Sequence, residues 1–280
     1  MPDFTLTSTI KMLDGRSIPI FGLGVYEMSD QETYDACLWA LEMGYRHIDT
    51  AEWYENEVSV GKAVAAFCKK SGISREEIFI TSKLKNNRTY SSALKDLRAS
   101  LKRSNLDYFD LYLMHSPIGG PSVRKEIWSA LIDAQKEGLV RSIGVSNFGV
   151  RHIQEIIDQN VPLPTINQID LHPFMRHPDI VKICEANGIV LEAWAPLARG
   201  YKFSHPSVIK ISKKHDKSPA QILLRWGIQH NHVVIPKSVS KERIQANSEI
   251  FDFSLSEEDM NELDGLDEYL VTDWDVVDTP

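Results

Sequence analysis

Four side chains that can hold or transfer a proton lie at or just after the ends of three short apolar runs: Asp49 and Tyr54 at the first, Lys83 at the second and His115 at the third. In water a tyrosine hydroxyl ionises at about pH 10, and a neighbouring lysine cation stabilises the phenolate and moves that pKa toward neutrality. A carboxylate beside the lysine would keep it charged and in place, and a neutral histidine would orient a carbonyl oxygen. Brought together, the four residues predict a general acid that protonates an alkoxide as it forms.

Taken one at a time, these residues have simpler structural interpretations. Asp49 could cap the helix that follows it, and Lys83 could be a solvated loop lysine. Tyr54 could pack half-buried against its neighbours, and His115 could be a hydrogen-bonded core histidine. Only their conjunction indicates chemistry. Because no side chain supplies a hydride, a reduction at such a site requires a cofactor.

The elements that would position these residues alternate regularly along the chain. Short apolar runs typical of buried strands cover residues 20–24, 46–49, 78–82, 109–115, 142–146, 165–170, 189–193 and 233–236. Apolar residues at helical spacing occupy 31–43, 56–70, 89–103, 123–137, 151–158, 177–186, 241–247 and 257–264. This alternation predicts a parallel sheet with its helices packed outside it.

Eight repeats of the strand-helix unit favour a closed (β/α)8 TIM barrel, an α/β fold, built as one domain over residues 1–280. Asp14-Gly15 between two semi-apolar runs predicts a hairpin before the first barrel strand. The alternative is a doubly wound sheet, but Gly22 and Gly24 are followed by Glu27 where a dinucleotide fingerprint needs its third glycine. In a barrel, the carboxyl ends of the strands would bring the four candidate residues to one rim.

The composition of the chain argues against several classes of function. The net charge of −8 argues against a general nucleic-acid binder, which needs basic surface to neutralise phosphates. Cys37, Cys68 and Cys184 are far apart, so we expect reduced thiols and no metal site. With no signal-peptide pattern and no apolar run of about 18 residues, we expect no membrane association and a cytoplasmic location.

Six stretches of the sequence together carry a family resemblance. They are residues 44–51 with Tyr54, 106–115, 143–148, 167–168, 194–197 and 235–238. In this order they resemble the aldo-keto reductase superfamily, in particular its short-tailed microbial and fungal members. The resemblance implies a barrel closed at the bottom by the hairpin, with NADPH bound in an extended form without a Rossmann domain.

The resemblance also assigns roles to individual positions. Asp49, Tyr54, Lys83 and His115 form the implied catalytic tetrad, with Tyr54 as proton donor. The nicotinamide carboxamide falls to Ser146, Asn147 and Gln168, and the ring stacks on Trp194. The remaining implied cofactor residues are Leu197 beside Trp194, Lys237, Ser238 and Arg243 at the adenosine 2′-phosphate, and Asn247 at the adenine.

The substrate side of the implied site departs from the common family pattern. The implied substrate residues are Tyr26, His115 and Ser116, and Ser116 stands where many members carry a bulky Trp. Ala246 replaces a Glu that touches adenine in many members. The chain after the last helix is short, from which we expect an open pocket.

These observations predict an NADPH-dependent oxidoreductase that reduces the carbonyl group of aldehydes or ketones, including activated dicarbonyls, to alcohols. The alternative is a cofactor-binding regulatory or structural protein on the same fold with little turnover. An unrelated barrel hydrolase is disfavoured, because the sequence has neither a metal cluster nor a nucleophile elbow. We expect a monomer whose partner is a small carbonyl substrate.

Overall fold

The computed structural model describes residues 4–280. It begins with a hairpin in which β1 (Thr9–Lys11) pairs antiparallel with β2 (Ser17–Pro19), with Ile10 opposite Ile18. Gly15 in the connecting turn has a φ of 83°, in the left-handed region that favours glycine. The hairpin predicted at Asp14-Gly15 is therefore confirmed.

The hairpin is followed by eight parallel strands, each hydrogen-bonded to the next in chain order. They are β3 (Leu23–Gly24), β4 (His47–Asp49), β5 (Phe79–Leu84), β6 (Phe109–Met114), β7 (Val140–Ser146), β8 (Ile166–Ile169), β9 (Val190–Ala193) and β10 (Val233–Val234). The first and last of these strands are also joined. The backbone N–H of Gly22, just before β3, donates to the Val234 carbonyl in β10 at 2.9 Å. The sheet therefore closes into the predicted (β/α)8 barrel, and the doubly wound alternative is wrong.

Gly24, part of the failed nucleotide fingerprint, has its own role in this closure. A Cβ atom at this position would lie 2.9 Å from the carbonyl oxygen of Ile235 on the far side of the seam. Gly24 also forms a parallel bridge to Lys237. A side chain here would force the first and last strands apart, so closure of the barrel accounts for this glycine.

The helices pack around the barrel. They are α1 (Asp30–Glu42), α2 (Glu57–Ser71), α3 (Tyr90–Ser104), α4 (Pro121–Lys136), α5 (Val150–Asp158), α6 (Pro178–Ala186), α7 (Pro206–His215), α8 (Pro219–Gln229), α9 (Lys241–Ser248) and α10 (Glu257–Asp264). The spacing of apolar residues in the sequence did not predict α7 or α8. Residues 221–228 of α8 are all buried. Within the described chain, no helix has the length and apolarity to span a membrane.

The hairpin fills the end of the barrel where the strands begin. Met12 and Ile18 are buried in one apolar cluster with Leu111, Ile166 and Val233 from β6, β8 and β10. Ile166 and Val233 are the first residues of their strands. The hairpin therefore closes the bottom of the barrel, as predicted, and leaves the opposite rim for ligands.

The chain after α10 returns across that opposite rim. The backbone N–H and the hydroxyl of Thr272 both donate to Asp170 Oδ2, just after β8, at 3.3 and 2.8 Å. Asp273 forms an ion pair with Arg199 at 2.7 Å. These contacts bring the C-terminal segment to the strand ends that carry the candidate site.

Replacing Gly149 by alanine should loosen this segment. An added methyl group would lie 2.1 Å from the carbonyl oxygen of Val277, and overpacking of this kind costs about 1–3 kcal/mol. We expect carboxypeptidase to remove the last residues of Gly149→Ala roughly tenfold faster than those of the unmodified protein. Val150→Ala, an exposed change at the next residue, is the control. Equal digestion of all three proteins would show that Gly149 does not hold the segment.

Candidate active site

A cavity of about 1180 Å³ opens at the carboxyl ends of the barrel strands. Asp49, Tyr54 and His115 line one end, and Arg243 and Asn247 line the other. All nine residues to which the resemblance assigns a cofactor role line the cavity: Ser146, Asn147, Gln168, Trp194, Leu197, Lys237, Ser238, Arg243 and Asn247. Residues predicted from dispersed motifs are therefore brought to one space large enough for an extended ligand and a small second molecule.

Lys83 lies beside this cavity at the centre of a buried hydrogen-bond cluster. Its side chain is 0% exposed, and its Nζ donates to Asp49 Oδ1 at 2.6 Å, the Thr50 carbonyl at 3.0 Å and the Tyr54 hydroxyl at 3.1 Å. An ammonium group has three donors, and all three find an acceptor here. The lysine is therefore fixed between the carboxylate and the tyrosine.

Tyr54 is held by a short 3₁₀ turn, Glu52–Tyr54, that follows β4. Glu52 anchors the turn, because its Oε2 accepts from the backbone N–H of Lys85 at 3.1 Å and its Oε1 pairs with Arg103 at 3.2 Å. Glu55, which ends the turn, has a φ of 57°. The hydroxyl of Tyr54 thus reaches Lys83 from the loop above the strands.

His115 lies directly after β6, with its ring centroid 5.9 Å from that of Tyr54. Burial, together with the nearby Lys83 cation, holds its pKa well below the ordinary histidine range. The ring is therefore neutral at physiological pH. Its Nδ1 is buried and has no hydrogen-bond partner among the described residues.

The protonation of Lys83 and Tyr54 follows from opposing effects. Burial disfavours the lysine cation, but the Asp49 carboxylate and the Tyr54 hydroxyl outweigh burial and leave the pKa of Lys83 raised. For Tyr54, burial raises the pKa more than Lys83 lowers it. The net shift at Tyr54 is therefore opposite to the sequence-based prediction, because the desolvation of the phenolate was not visible in the sequence.

Amide side chains extend this cluster across the cavity wall. Gln168 Nε2 donates to Asp49 Oδ2 at 2.8 Å, and Ser146 Oγ donates to the Gln168 carbonyl at 2.9 Å. Asn147, with a φ of 61°, accepts a hydrogen bond from Trp194 Nε1 at its Oδ1, at 2.9 Å. The side chains with predicted contacts to the nicotinamide are therefore already fixed by bonds to one another and to Asp49.

The far end of the cavity has a different character. Lys237 and Arg243 are exposed, whereas Ser238 and Asn247 are almost completely buried. Arg243 lies in the first turn of α9, where its backbone N–H donates to the capping hydroxyl of Ser240 at 3.3 Å. Two cations, a hydroxyl and a helix N-terminus are thus close together, an arrangement suited to a phosphate group.

Aromatic residues that the sequence analysis did not single out shape the substrate side. The rings of Trp53 and Trp274 lie 5.4 and 6.3 Å from that of His115 and 5.5 Å from each other. Tyr26 lines the cavity, 5.1 Å from the Tyr54 ring. Trp274 belongs to the short C-terminal segment, which therefore contributes a side chain to the cavity wall.

Ser116 lies outside the cavity lining, and its carbonyl accepts from Asn87 Nδ2 at 2.7 Å. Its predicted contact with substrate therefore has no support in the geometry. Arg199 lines the cavity but was not predicted. Within residues 4–280, no group of three or more His, Cys, Asp and Glu side chains could bind a metal ion.

Known proteins are similar to this chain in both sequence and fold. The aldo/keto reductase family model matches residues 20–206 and 206–268. A glyoxal reductase of Bacillus subtilis is 43% identical over 264 residues, or 94% of each chain, and a methylglyoxal reductase of Escherichia coli is 43% identical over 263 residues, 93% of this chain and 94% of the relative. A crystal structure of an aldo/keto reductase from Brucella melitensis has a TM-score of 0.90 and 42% identity, covering 94% of this chain and 99% of its own. An aldo-keto reductase of Bombyx mori in complex with NADP has a TM-score of 0.89 and 35% identity, covering 96% and 95%. This chain belongs to the aldo/keto reductase family.

Proposed function

We propose that this protein reduces the carbonyl group of small aldehydes and ketones to an alcohol, with NADPH as the reductant. The observation that carries the proposal is the Lys83 ammonium, which bonds Asp49 and the Tyr54 hydroxyl at the edge of a large cavity. A structural ion pair would not need the tyrosine. An acid for a developing alkoxide does need it.

The cavity residues fit NADPH. The amides of Asn147 and Gln168 suit a carboxamide, and the indole of Trp194 offers a flat face to the nicotinamide ring. Lys237 and Arg243 suit the 2′-phosphate, because guanidinium and ammonium groups form charge-assisted hydrogen bonds to phosphate oxygens. When bound, NADPH supplies the hydride that no side chain can provide.

The residues of the chain handle the carbonyl oxygen. Neutral His115 orients it, and Tyr54 gives its proton to the oxygen as negative charge develops there. The raised pKa of Tyr54, caused mainly by burial, keeps the hydroxyl protonated at neutral pH, which is the state that a reduction requires. Lys83 then stabilises the phenolate left behind, and Asp49 keeps Lys83 charged.

The aromatic wall favours small substrates. Trp53 and Trp274 contact each other beside His115, and Ile118 also lines the cavity. Flat dicarbonyls such as glyoxal and methylglyoxal would pack against this aromatic wall. Similarity to a glyoxal reductase and a methylglyoxal reductase supports this substrate class.

A cofactor-binding protein with little turnover is the second candidate. It would need the residues along the cavity wall but not a tyrosine hydroxyl held by Lys83 at 3.1 Å. The intact bonds between Asp49, Lys83 and Tyr54 therefore favour catalysis.

Tyr54→Phe tests the proposed acid. We expect a loss of methylglyoxal reduction of at least about 10²–10⁴-fold, the usual contribution of a general acid. NADPH affinity, measured by fluorescence titration, should change less than about twofold, because the hydroxyl acts on the substrate oxygen. Tyr90→Phe, which removes an exposed hydroxyl on α3, is the control. Retention of wild-type turnover by Tyr54→Phe would refute the assignment.

Arg243→Ala tests the preference for NADPH. Hydrogen bonds to a charged group contribute roughly 1.5–3 kcal/mol, so NADPH should bind about 10- to 100-fold more weakly. NADH, which has no 2′-phosphate, should bind as before. Lys241→Ala, which removes an exposed charge from the same helix outside the cavity lining, should affect neither cofactor. Equal losses for NADPH and NADH would mean that Arg243 supports the loop and does not contact the phosphate.

A further inference from the structure

Glu192 carries a fully buried carboxyl group inside the barrel and takes no part in the proton transfer proposed above. It lies on β9, and Trp194 follows directly after that strand. Its side chain is 0% exposed and is absent from the cavity lining, whereas its strand neighbour Gln168 lines the cavity. Glu192 therefore lies one layer below the proposed nicotinamide site.

Gln168 connects Glu192 to the cavity. Its Nε2 donates both to Asp49 Oδ2 at 2.8 Å and to Glu192 Oε2 at 2.9 Å. Because the ionised Asp49 carboxylate can only accept hydrogen bonds, the amide nitrogen must be the atom that faces Asp49 and Glu192. The amide oxygen is then the atom left for a ligand in the cavity, where it can accept from a carboxamide NH₂ group.

Charge balance decides the protonation of the two carboxyl groups. Lys83 is bonded to Asp49 at 2.6 Å and compensates its charge. The other titratable group facing Glu192, His47 on β4, lies 3.7 Å away from Oε1 and is neutral, since burial and then Lys83 lower its pKa to about 3. Burial and the Asp49 carboxylate raise the pKa of Glu192 to about 8.

The Glu192 carboxyl group therefore carries a proton at neutral pH. Oε2 is the oxygen that accepts from Gln168, which leaves the proton on Oε1. This oxygen is buried and lacks a hydrogen-bond partner among the described residues. On β10, the residue opposite Glu192 is the apolar Val233, so no charge reaches the group from that strand.

We propose that Glu192 is a positioning residue of the oxidoreductase: as an uncharged acid it holds the Gln168 amide with its oxygen toward the nicotinamide carboxamide. The proposal rests on the proposed function for the identity of the ligand. It adds that the floor of the nicotinamide site is a neutral carboxyl group, which holds the amide without adding charge to the Lys83–Tyr54 pair.

Two substitutions separate the hydrogen bond from the charge. Glu192→Gln keeps an uncharged acceptor of the same shape, and NADPH should bind within about twofold of wild type. Glu192→Met has a similar volume but no acceptor, and losing one neutral hydrogen bond should weaken NADPH about 2- to 10-fold. Adenosine 2′,5′-bisphosphate lacks the nicotinamide, so its affinity should be unchanged in both variants.

Two further measurements distinguish positioning from a general structural role. In a Gln168→Leu background, Glu192→Met should cause no additional loss of NADPH affinity, because Glu192 acts through Gln168. The infrared difference spectrum of wild type minus Glu192→Gln at neutral pH should contain the C=O band of a carboxylic acid. This measurement remains decisive even if Glu192→Met does not fold.

Three results would overturn the proposal: carboxylate bands alone in that spectrum, equal NADPH losses in the Gln and Met variants, or equal losses for NADPH and the bisphosphate. Because these are binding and spectroscopic readouts, they are independent of turnover. Wild-type protein that binds NADPH but reduces no carbonyl would refute the proposed function and leave the role of Glu192 testable.

Discussion

The candidate site depends on one buried cation. Transferring an ammonium group from water to a protein interior costs several kcal/mol, and this cost is offset only when the group is paired and its donors are satisfied. Lys83 is satisfied by a carboxylate from β4, a backbone carbonyl and a hydroxyl from the turn after β4. Asp49, Tyr54 and the alignment of β4 with β5 are consequently fixed by the same requirement.

The same cation also limits what else the barrel interior can hold. One positive charge compensates one carboxylate, and Asp49 takes that place because it is the group bonded to Lys83. Glu192 and His47 share the interior and must stay neutral there. A buried polar network of this kind contributes little net stability, so we regard orientation of Tyr54 and Gln168 as the reason for its presence.

The fold, and the meeting of the candidate site residues at one place, could be predicted from the geometry of a parallel barrel. The carboxyl ends of its strands meet at one rim, so Asp49, Lys83 and His115 could be placed together from their positions after apolar runs. The pKa of Tyr54 could not be predicted, because its sign depends on how deeply the hydroxyl is buried. The sequence indicates which charged residues lie near Tyr54, but it does not indicate how far water is excluded from the Tyr54 hydroxyl.

The aromatic wall was beyond sequence reasoning for a similar reason. The position of Trp274 beside His115 is set by long-range contacts of the C-terminal segment, between Thr272 and Asp170 and between Asp273 and Arg199. None of these pairings has a local pattern.

The charged groups at the two ends of the cavity differ in how strongly dissolved salt screens them. At the far end, the exposed charges of Lys237 and Arg243 are screened by salt over about 8 Å at physiological ionic strength. At the near end, the network around Lys83 is buried and is hardly screened. For the proposed cofactor, affinity for the 2′-phosphate should therefore fall with ionic strength while the orientation of the nicotinamide stays constant. Binding strength and catalytic geometry are thus set by separate groups, which allows cofactor preference to change without disturbing the proton donor.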